Sequence, residues 1–158
     1  DASGEDIAPI AVDLWYASKE IYNESDYTMF QESSTTDPDD NRFELCNYEQ
    51  VVDSVFTANA RRQLEETQTE TGRMLIQQEN GKYYRTFRGL WLDDTQYVVF
   101  YDMQVKRAEE NYVVLSVECG SSHKFSAEHT FLDFALKKVD GVWMVDDFSY
   151  PTAFYDFY

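Results

Sequence analysis

The sequence contains few of the residues that build metal centres and nucleophilic sites. Its 158 residues include two cysteines, two histidines and six glycines. Cys46 and Cys119 lie in no CxxC motif, and two histidines do not complete a usual zinc ligand set. There is also no GxSxG motif and no glycine-rich phosphate loop. We therefore expect no metal and no cofactor. The two cysteines are compatible with either one disulfide or two free thiols.

Positive charge is also scarce. The chain has 13 Lys and Arg against 30 Asp and Glu, which gives a formal net charge of −17. Contacts with phosphate backbones and anionic headgroups depend on Lys and Arg, and adjacent basic pairs such as Arg61-Arg62 and Lys137-Lys138 are few. Nucleic acid and membrane surfaces are thus unfavourable partners. A small ligand, or a basic or neutral protein, is compatible with the acidic surface.

Long hydrophobic runs are missing as well. No run approaches the roughly 20 residues that cross a bilayer, so no integral membrane segment is expected. The sequence begins at Asp1 without an initiator Met. We interpret this start as the product of signal-peptide removal, and in one form of this interpretation a lipid-bearing cysteine stood just upstream of Asp1. We therefore expect a secreted or cell-surface protein. An arbitrary boundary of the sequence would look the same.

Apolar residues are plentiful in spite of the acidic charge, since 43% of the residues are hydrophobic and 16% are aromatic. This is enough to bury a core, and a chain of this length ordinarily forms one domain. We therefore expect a single domain over residues 1–158, with an aromatic C-terminal tail at 150–158. A mobile loop is predicted at about 31–42, because this segment has no periodicity and is rich in turn-forming polar residues.

Two stretches in the first half of the chain have the spacing of amphipathic helices. In residues 6–22, apolar side chains recur at helical intervals after Asp6, which is a natural N-cap. Residues 47–66 also have apolar side chains at helical spacing. Asn47, at the start of this segment, resembles the first residue of a capping box together with Gln50. The spacing thus predicts two helices.

After the second helix the apolar period changes to two, which is typical of strands. Asn80-Gly81 and Asp140-Gly141 separate pairs of alternating segments, and both dipeptides suit type I′ turns, which need positive φ. Trp143 is predicted to lie on the buried face of the last hairpin. We therefore predict an α+β fold in which two N-terminal helices pack on a curved antiparallel sheet of about five to six strands.

The order of elements and a few short segments resemble the cystatin-like or nuclear-transport-factor-two-like superfamily, especially small extracytoplasmic domains of Gram-positive bacteria. The segments are Val55-Phe56-Thr57, the strand pair around Asn80-Gly81-Lys82-Tyr83-Tyr84, and the closing hairpin from Lys138 to Asp146. The likeness covers about residues 6–150. It implies a cone-shaped sheet around the helices, often with an internal pocket. Such a fold occurs in enzymes, binding modules and inhibitors, so the resemblance alone does not choose a function.

If the protein is an enzyme, the resemblance implies proton transfer by a pocket carboxylate, as in the isomerases and cyclases of the superfamily. Counting back from the last turn pairs Asp133 with Phe148, which makes Asp133 and Asp146 diagonal neighbours on a face that His129 shares. Asp102, on a strand with two partly apolar faces, competes for the same role. The simpler interpretation, which we prefer, is that Asp133 faces solvent and Asp102 lies at a rim.

The C-terminal tail holds the residues that we expect to contact a ligand or partner, namely Tyr150, Phe154, Tyr155, Phe157 and Tyr158. The plainer alternative is that the tail folds back and shields a sheet edge. We expect a non-enzymatic extracytoplasmic module that binds a small ligand or a protein through a pocket or this tail. The alternatives are an inhibitor of cell-wall hydrolases, which would dock a basic enzyme on the acidic surface, and a small isomerase-like or cyclase-like enzyme.

Overall fold

A computed structural model of the chain describes residues 7–22, 31–34, 37–39, 42–68, 72, 74, 76–86, 90–92, 98–121, 130–148 and 154–156. In chain order these form α1 (Ile7–Tyr22), β1 (Glu32–Ser34), β2 (Arg42–Leu45), α2 (Tyr48–Val55), α3 (Ala58–Glu66), β3 (Gln77–Glu79), β4 (Lys82–Thr86), β5 (Leu90–Leu92), β6 (Val98–Ala108), β7 (Tyr112–Ser121), β8 (Thr130–Val139), β9 (Val142–Phe148) and β10 (Phe154–Asp156). The predicted α+β class is confirmed.

The main sheet consists of four antiparallel strands in the order β6-β7-β8-β9. Because side chains alternate along a strand, the sheet has a core face, which is apolar, and an outer face. All three helices contact β9. The buried residues of the core face are Val113, Leu115, Val117, Leu132, Phe134, Leu136, Trp143, Val145 and Phe148. The predicted burial of Trp143 is confirmed, since this residue is 7% exposed.

The other described strands form two further sheets, one of four short strands and one of two, so the predicted single sheet of five to six strands is not confirmed. One has the order β1-β2-β4-β3, and the other pairs β10 with β5. Part of the predicted loop at 31–42 is therefore strand, since Glu32–Ser34 pairs with Phe43–Leu45. A strand of three residues leaves no periodicity in the sequence, and here its partner, β2, is held by β4.

Helix α1 begins within one residue of its predicted start. Ile7 and Ala11 are buried on the face that the helical spacing predicts, and Trp15, which that spacing did not include, is buried beside them, whereas Ile10, predicted on this face, is 37% exposed. Ser18 is buried on the same face, and its hydroxyl donates a hydrogen bond to the Trp15 carbonyl at 2.8 Å. This bond satisfies the polar group inside the core. Asp6, the predicted cap, lies outside the described residues.

The second predicted helix, 47–66, is divided in two by a break at Phe56 and Thr57. The break is fixed by the main sheet, because the Thr57 N–H donates to the Val145 carbonyl at 2.9 Å and Phe56 forms a parallel bridge with Val145. Thr57 also caps α3, since its hydroxyl accepts a hydrogen bond from the Ala60 N–H at 3.3 Å. The prediction of one continuous helix is wrong because a tertiary contact with β9 overrides the local pattern.

Both predicted two-residue turns are confirmed. Asn80 and Gly81 have φ angles of 53° and 77°, and Asp140 and Gly141 have φ angles of 51° and 82°. Positive φ at both central residues defines the type I′ turn, whose twist matches that of the strands it joins.

The pairing of β8 with β9 contains a β-bulge that the sequence did not indicate. Pairing is regular from the turn to Val145, but the next pair is Ala135 with Asp147, so Asp146 is an extra residue. The predicted register, which makes Asp133 and Asp146 diagonal neighbours, is therefore wrong. Counting back from a turn assumes that each residue has one partner on the neighbouring strand. A bulge adds an extra residue to one strand and so breaks that assumption.

Candidate functional site

A pocket of about 350 Å³ opens where β2 runs into α2, beside the turn between β3 and β4. This volume is within the range of about 300–1,000 Å³ that is usual for small-molecule sites. We call it the α2 pocket. It is lined by Gln31, Glu44, Leu45, Cys46, Asn47, Tyr48, Glu49, Gln50, Gly81, Lys82 and Tyr83.

The connection between β2 and α2 is held by the residue that precedes β1. The Gln31 N–H donates to Asn47 Oδ1 at 2.7 Å, and the Cys46 N–H donates to the Gln31 carbonyl at 2.8 Å. The predicted capping box is wrong, because the Asn47 side chain makes no cap hydrogen bond with α2. Its amide joins two chain segments instead, and this fixes one wall of the α2 pocket.

Two tyrosine rings form another wall. Tyr48, the first residue of α2, is 1% exposed, and its ring stacks on that of Tyr83 with centroids 4.0 Å apart and planes 16° apart. The Tyr48 hydroxyl donates to Glu65 Oε1 at 3.0 Å, so the buried phenol is satisfied. Burial and then the charge of Glu65 raise the pKa of the Tyr48 phenol, which is therefore neutral at physiological pH.

Arg61 of α3 lies against both rings. Its guanidinium carbon is 5.5 Å from the Tyr48 ring centroid and 5.8 Å from that of Tyr83. A guanidinium within about 6 Å of a ring centroid is attracted to the π face. Arg61 Nη2 also donates a hydrogen bond to the Tyr83 hydroxyl at 3.0 Å. Tyr83, which is partly exposed to the pocket, is thus held both at its ring and at its hydroxyl.

Three carboxylates surround the same guanidinium. Arg61 Nη1 contacts Glu49 at 2.8 Å and Asp53 at 2.9 Å, and Nε contacts Glu65 at 2.8 Å. One positive charge among three negative charges leaves this group with a net charge of −2. The hydrogen bond from Arg61 lowers the pKa of Glu49, and the same bond raises the pKa of Arg61. We call Arg61, these carboxylates and the two tyrosines the Arg61 cluster; it joins α2, α3 and β4.

The thiol in the α2 pocket is not activated. Cys46 is a free, exposed cysteine, which is one of the two states left open by the sequence, and its Sγ donates to the Glu44 carbonyl at 3.9 Å. Desolvation, followed by the charge of Glu44, raises the pKa of the Cys46 thiol. Nucleophilic cysteines have a lowered pKa, so the arrangement does not favour attack by this sulfur. The side chain of Cys119 is outside the described part of the structure.

The pocket lining combines hydrogen-bonding groups with one aromatic surface. Lys82 Nζ lies 3.4 Å from Glu44 Oε1, so these two charges balance each other. Asn47 and Gln50 carry amides, which both donate and accept hydrogen bonds, and Tyr83 contributes a ring. Glu49 also lines the pocket and belongs to the Arg61 cluster, whose net charge is −2, so the lining suits a small polar ligand that is not an anion, such as an uncharged or zwitterionic one.

The two carboxylates considered for proton transfer lie on the outer face of the main sheet, where no described pocket joins them. The Asp133 side chain is 68% exposed and pairs with Lys106 at 3.0 Å. Asp102 is also exposed, and it accepts a hydrogen bond from Gln104 Nε2 at 3.3 Å. The position of Asp133 agrees with the simpler interpretation of the sequence, in which this carboxylate faces solvent, whereas Asp102, interpreted there as a rim residue, is exposed on the outer face of the sheet.

Asp146 has a different environment, because the bulge brings it to the break between α2 and α3. Its Oδ1 accepts a hydrogen bond from the Thr57 hydroxyl at 2.8 Å, and its Oδ2 accepts one from the Tyr112 hydroxyl at 3.3 Å. The Asp146 carbonyl accepts a hydrogen bond from Asn59 Nδ2 at 2.9 Å. Burial, together with the charge of Asp146, raises the pKa of Tyr112. These contacts join β7, β9 and the start of α3, so we assign Asp146 a structural role.

Several predicted site residues fall outside the described part of the chain. These are His129, Tyr150, Phe157 and Tyr158. Phe154 and Tyr155 belong to β10, which pairs with β5. Part of the tail is therefore a strand, and both its contact with a ligand or partner and its shielding of a sheet edge stay predictions.

Sequence analysis identifies neither the α2 pocket nor the Arg61 cluster. One signal was available, because Glu49, Asp53, Arg61 and Glu65 are separated by multiples of four residues and thus recur at helical spacing. Tyr83 could not be found in this way, since it lies 22 positions from Arg61 on a strand. The pocket is assembled from separate segments, and no local pattern records their meeting.

Comparison with known proteins places no constraint on these assignments. A scan against protein-family models, a search of curated proteins and a search of solved structures each found no match to this chain. Within the described ranges, no helix is both long enough and apolar enough to cross a membrane. The residues whose positions are described also include no group of three or more His, Cys, Asp or Glu placed to hold a metal ion.

Proposed function

We propose that this chain is a non-enzymatic binding module of the cystatin-like or nuclear-transport-factor-two-like type, that it acts outside the cytoplasm, and that its α2 pocket takes a small polar ligand. The observation that carries the binding proposal is the pocket itself, with about 350 Å³ and a mixed polar and aromatic lining. The family assignment and the location are supported by the resemblance in element order described above.

The rigidity of the pocket walls supports a binding role. Tyr83 is held by stacking on Tyr48 and by the hydrogen bond from Arg61, and another wall is held by the hydrogen bonds of Gln31 with Asn47 and with Cys46. Side chains that are already fixed lose little conformational entropy when a ligand arrives. A preformed site of this kind needs only modest contacts to bind a small molecule.

The catalytic alternative has less support from the described residues. General-base chemistry at neutral pH needs a carboxylate shielded from water, and both Asp102 and Asp133 are exposed. Cys46 carries a thiol whose pKa is raised, which disfavours nucleophilic catalysis. An inhibitor of cell-wall hydrolases would use the acidic surface, and no observation in the described ranges favours it over a small-ligand module.

An NMR titration that resolves individual amides tests the proposal. The ¹⁵N-labelled protein is titrated with monosaccharides, disaccharides and zwitterionic amino acids, and we expect at least one compound to shift the amides of Gln50, Lys82 and Tyr83. Lys82→Ala should weaken that binding by about fivefold or more, because it removes a charged hydrogen-bond donor. Lys137→Ala, on the outer face of β8, is the control and should leave the affinity unchanged.

Two outcomes would count against this function. In the first, every compound that binds shifts only amides remote from the α2 pocket. In the second, Lys82→Ala and Lys137→Ala weaken binding to the same extent, which would point to a general charge effect instead of a pocket contact.

A further inference from the structure

The two edges of the main sheet differ in their cover. At the β9 edge, the break between α2 and α3 is docked on Val145 through Phe56 and Thr57. At the β6 edge, residues 104–108 are all exposed, and no strand in the described part of the chain pairs with the outer side of β6. Val105 is apolar and yet 49% exposed. A long strand with a free edge is a template for pairing with another strand.

Four residues at this edge, 102–105, alternate regularly between the two faces of the sheet, and the pairing with β7 is irregular on either side of them, between Phe100 and Asp102 and between Val105 and Arg107. Cross-strand partners share a face, so the pairing with β7 gives the face of each β6 residue. On the core face lie Met103, opposite Val117, and Val105, opposite Leu115. On the outer face lie Asp102, opposite Glu118, and Gln104, opposite Ser116. Lys106 is the extra residue of a β-bulge, and its side chain lies on the same face, since it reaches the carboxylate of Asp133.

We propose that β6 pairs with β6 of a second copy of this chain, antiparallel, about a two-fold axis at Gln104. If the two sheets keep their core faces on the same side, opposed residues must come from the same face. Registers in which the two-fold axis passes through a residue satisfy this condition, and registers in which it passes between two residues do not. The register centred on Gln104 brings Asp102 close to the partner's Lys106, whose side chain extends from the bulge on the same outer face, and the symmetry repeats this pair. Centres at Met103 or Val105 join no opposite charges.

The apolar residues support the same register. Centring on Gln104 places Val105 opposite the partner's Met103 on the core face, again twice by symmetry. Met103 already packs against the core, so the pairing continues the apolar layer of one sheet into the other. Cross-strand pairs of opposite charge and of apolar side chains are the contacts that stabilise antiparallel neighbours.

The charge of this edge is compatible with a second copy, although the whole chain carries −17. β6 contains one Asp, one Lys and one Arg, so the acidic excess of the rest of the surface is not present on this strand. Lys106 contacts Asp133 in the single chain, but both side chains are exposed and such a pair is weak. Lys106 can therefore turn to the partner's Asp102 at little cost.

Sedimentation equilibrium with charge-reversal variants tests the proposal. Because the interface is small, we expect the wild-type protein to dimerise weakly, within about 10 µM to 1 mM. Each single variant, Asp102→Lys or Lys106→Asp, brings two like charges together at both symmetry-related pairs. Each should therefore raise the dissociation constant of the dimer by at least about tenfold. The double variant Asp102→Lys/Lys106→Asp restores opposite charges and should return the affinity to within about threefold of wild type.

Two controls separate this edge from general effects. Lys137→Asp changes the net charge as Lys106→Asp does, at an exposed position on β8, and should leave the dimer unaffected. Circular dichroism of each variant shows whether the fold is retained, and the rescue by the double variant does not depend on either single variant being stable alone.

A wild-type protein that stays monomeric across this concentration range overturns the proposal. A dimer that neither single variant weakens also overturns it, since such a dimer uses another surface. Amide hydrogen exchange gives an independent readout, because protection of those amides in residues 102–106 that point away from β7 must rise with protein concentration. Full protection of these amides in a dilute monomer means that another part of the chain covers β6, and this too overturns the proposal.

Discussion

Arg61 is the residue that joins the α2 pocket to the rest of the fold. Its five described polar contacts reach α2, α3 and β4, so one side chain determines how three elements meet. The guanidinium suits this position because its planar fork binds carboxylates and also stacks on aromatic rings. A lysine at this position would supply the positive charge but not the planar group that binds carboxylates and stacks on the rings.

Replacement of Arg61 should destabilise the protein. In Arg61→Ala, the three carboxylates lose their counter-charge and Tyr83 loses a hydrogen bond, so the free energy of unfolding should fall by about 1–3 kcal/mol in urea denaturation. Arg62→Ala is the matched control, since Arg62 is exposed and contacts Asn59; its effect should stay within about 0.5 kcal/mol. Equal losses in the two variants would show that the Arg61 cluster contributes nothing particular.

The lowered pKa of Glu49 makes part of the stability depend on pH. Because the folded pKa is below the unfolded value of about 4.3, this contribution is present above pH 4.3 and is lost as the pH falls through the folded value. Urea denaturation in steps from about pH 7 to pH 3 should therefore show a smaller acid loss in Glu49→Gln than in wild type. Glu66→Gln, at the exposed end of α3, should follow the wild-type curve; identical curves for all three proteins would contradict the assignment.

At the scale of elements, local sequence signals were sufficient to predict α1 and both type I′ turns. An amphipathic period and an Asn-Gly or Asp-Gly pair act within a few residues, so the sequence contains their cause. The break at Thr57, strand β1 and the bulge at Asp146 have causes elsewhere in the chain, in the contacts of each with a distant strand. The α2 pocket is of this second kind, and for that reason the sequence pointed instead to the aromatic tail as a binding site, and to Asp102 and Asp133 only for the case of an enzyme.

The bulge in β9 gives two adjacent aspartates different energetic roles. Asp146→Ala leaves the hydroxyls of Thr57 and Tyr112 without this acceptor, so the free energy of unfolding should fall by about 1.5–3 kcal/mol. Asp147→Ala removes one exposed contact with Gln63 and should cost less than about 1 kcal/mol. Denaturant unfolding of both variants measures the difference. If the order of the two effects were reversed, the assignment of Asp146 as the residue that anchors α3 would be wrong.

At the scale of the whole molecule, a buried apolar layer has to outweigh the repulsion of a surface at −17. That layer lies between the core face of the main sheet and the three helices, and it is continuous from Trp15 in α1 to Trp143 in β9. The acidic residues are spread over the surface, and a share of their charge is neutralised locally, as in the Arg61 cluster. The protein can in this way be strongly acidic and still compact.

Truncation of Trp143 measures how much this layer contributes. Because Trp143 is buried at the last turn, Trp143→Ala should lower the free energy of unfolding by about 3–5 kcal/mol. Val142→Ala, one residue earlier and 57% exposed, should change it by less than about 0.5 kcal/mol. Thermal and urea unfolding of both proteins give the comparison. An unchanged melting temperature for Trp143→Ala would remove Trp143 from the core.

The anchoring of Thr57 on β9 also has a consequence for the synthesis of the chain. Thr57 and Asp146 are 89 positions apart, so at usual translation rates β9 leaves the ribosome on the order of 5–20 s after the helices that it must cover. During this interval the apolar faces that carry Trp15 and Leu64 lack β9, the strand that all three helices contact. Contacts between distant positions also slow the folding step itself. Nascent chains that end before Val142 should therefore be open to proteases and bound by chaperones, whereas the released full-length chain should resist cleavage.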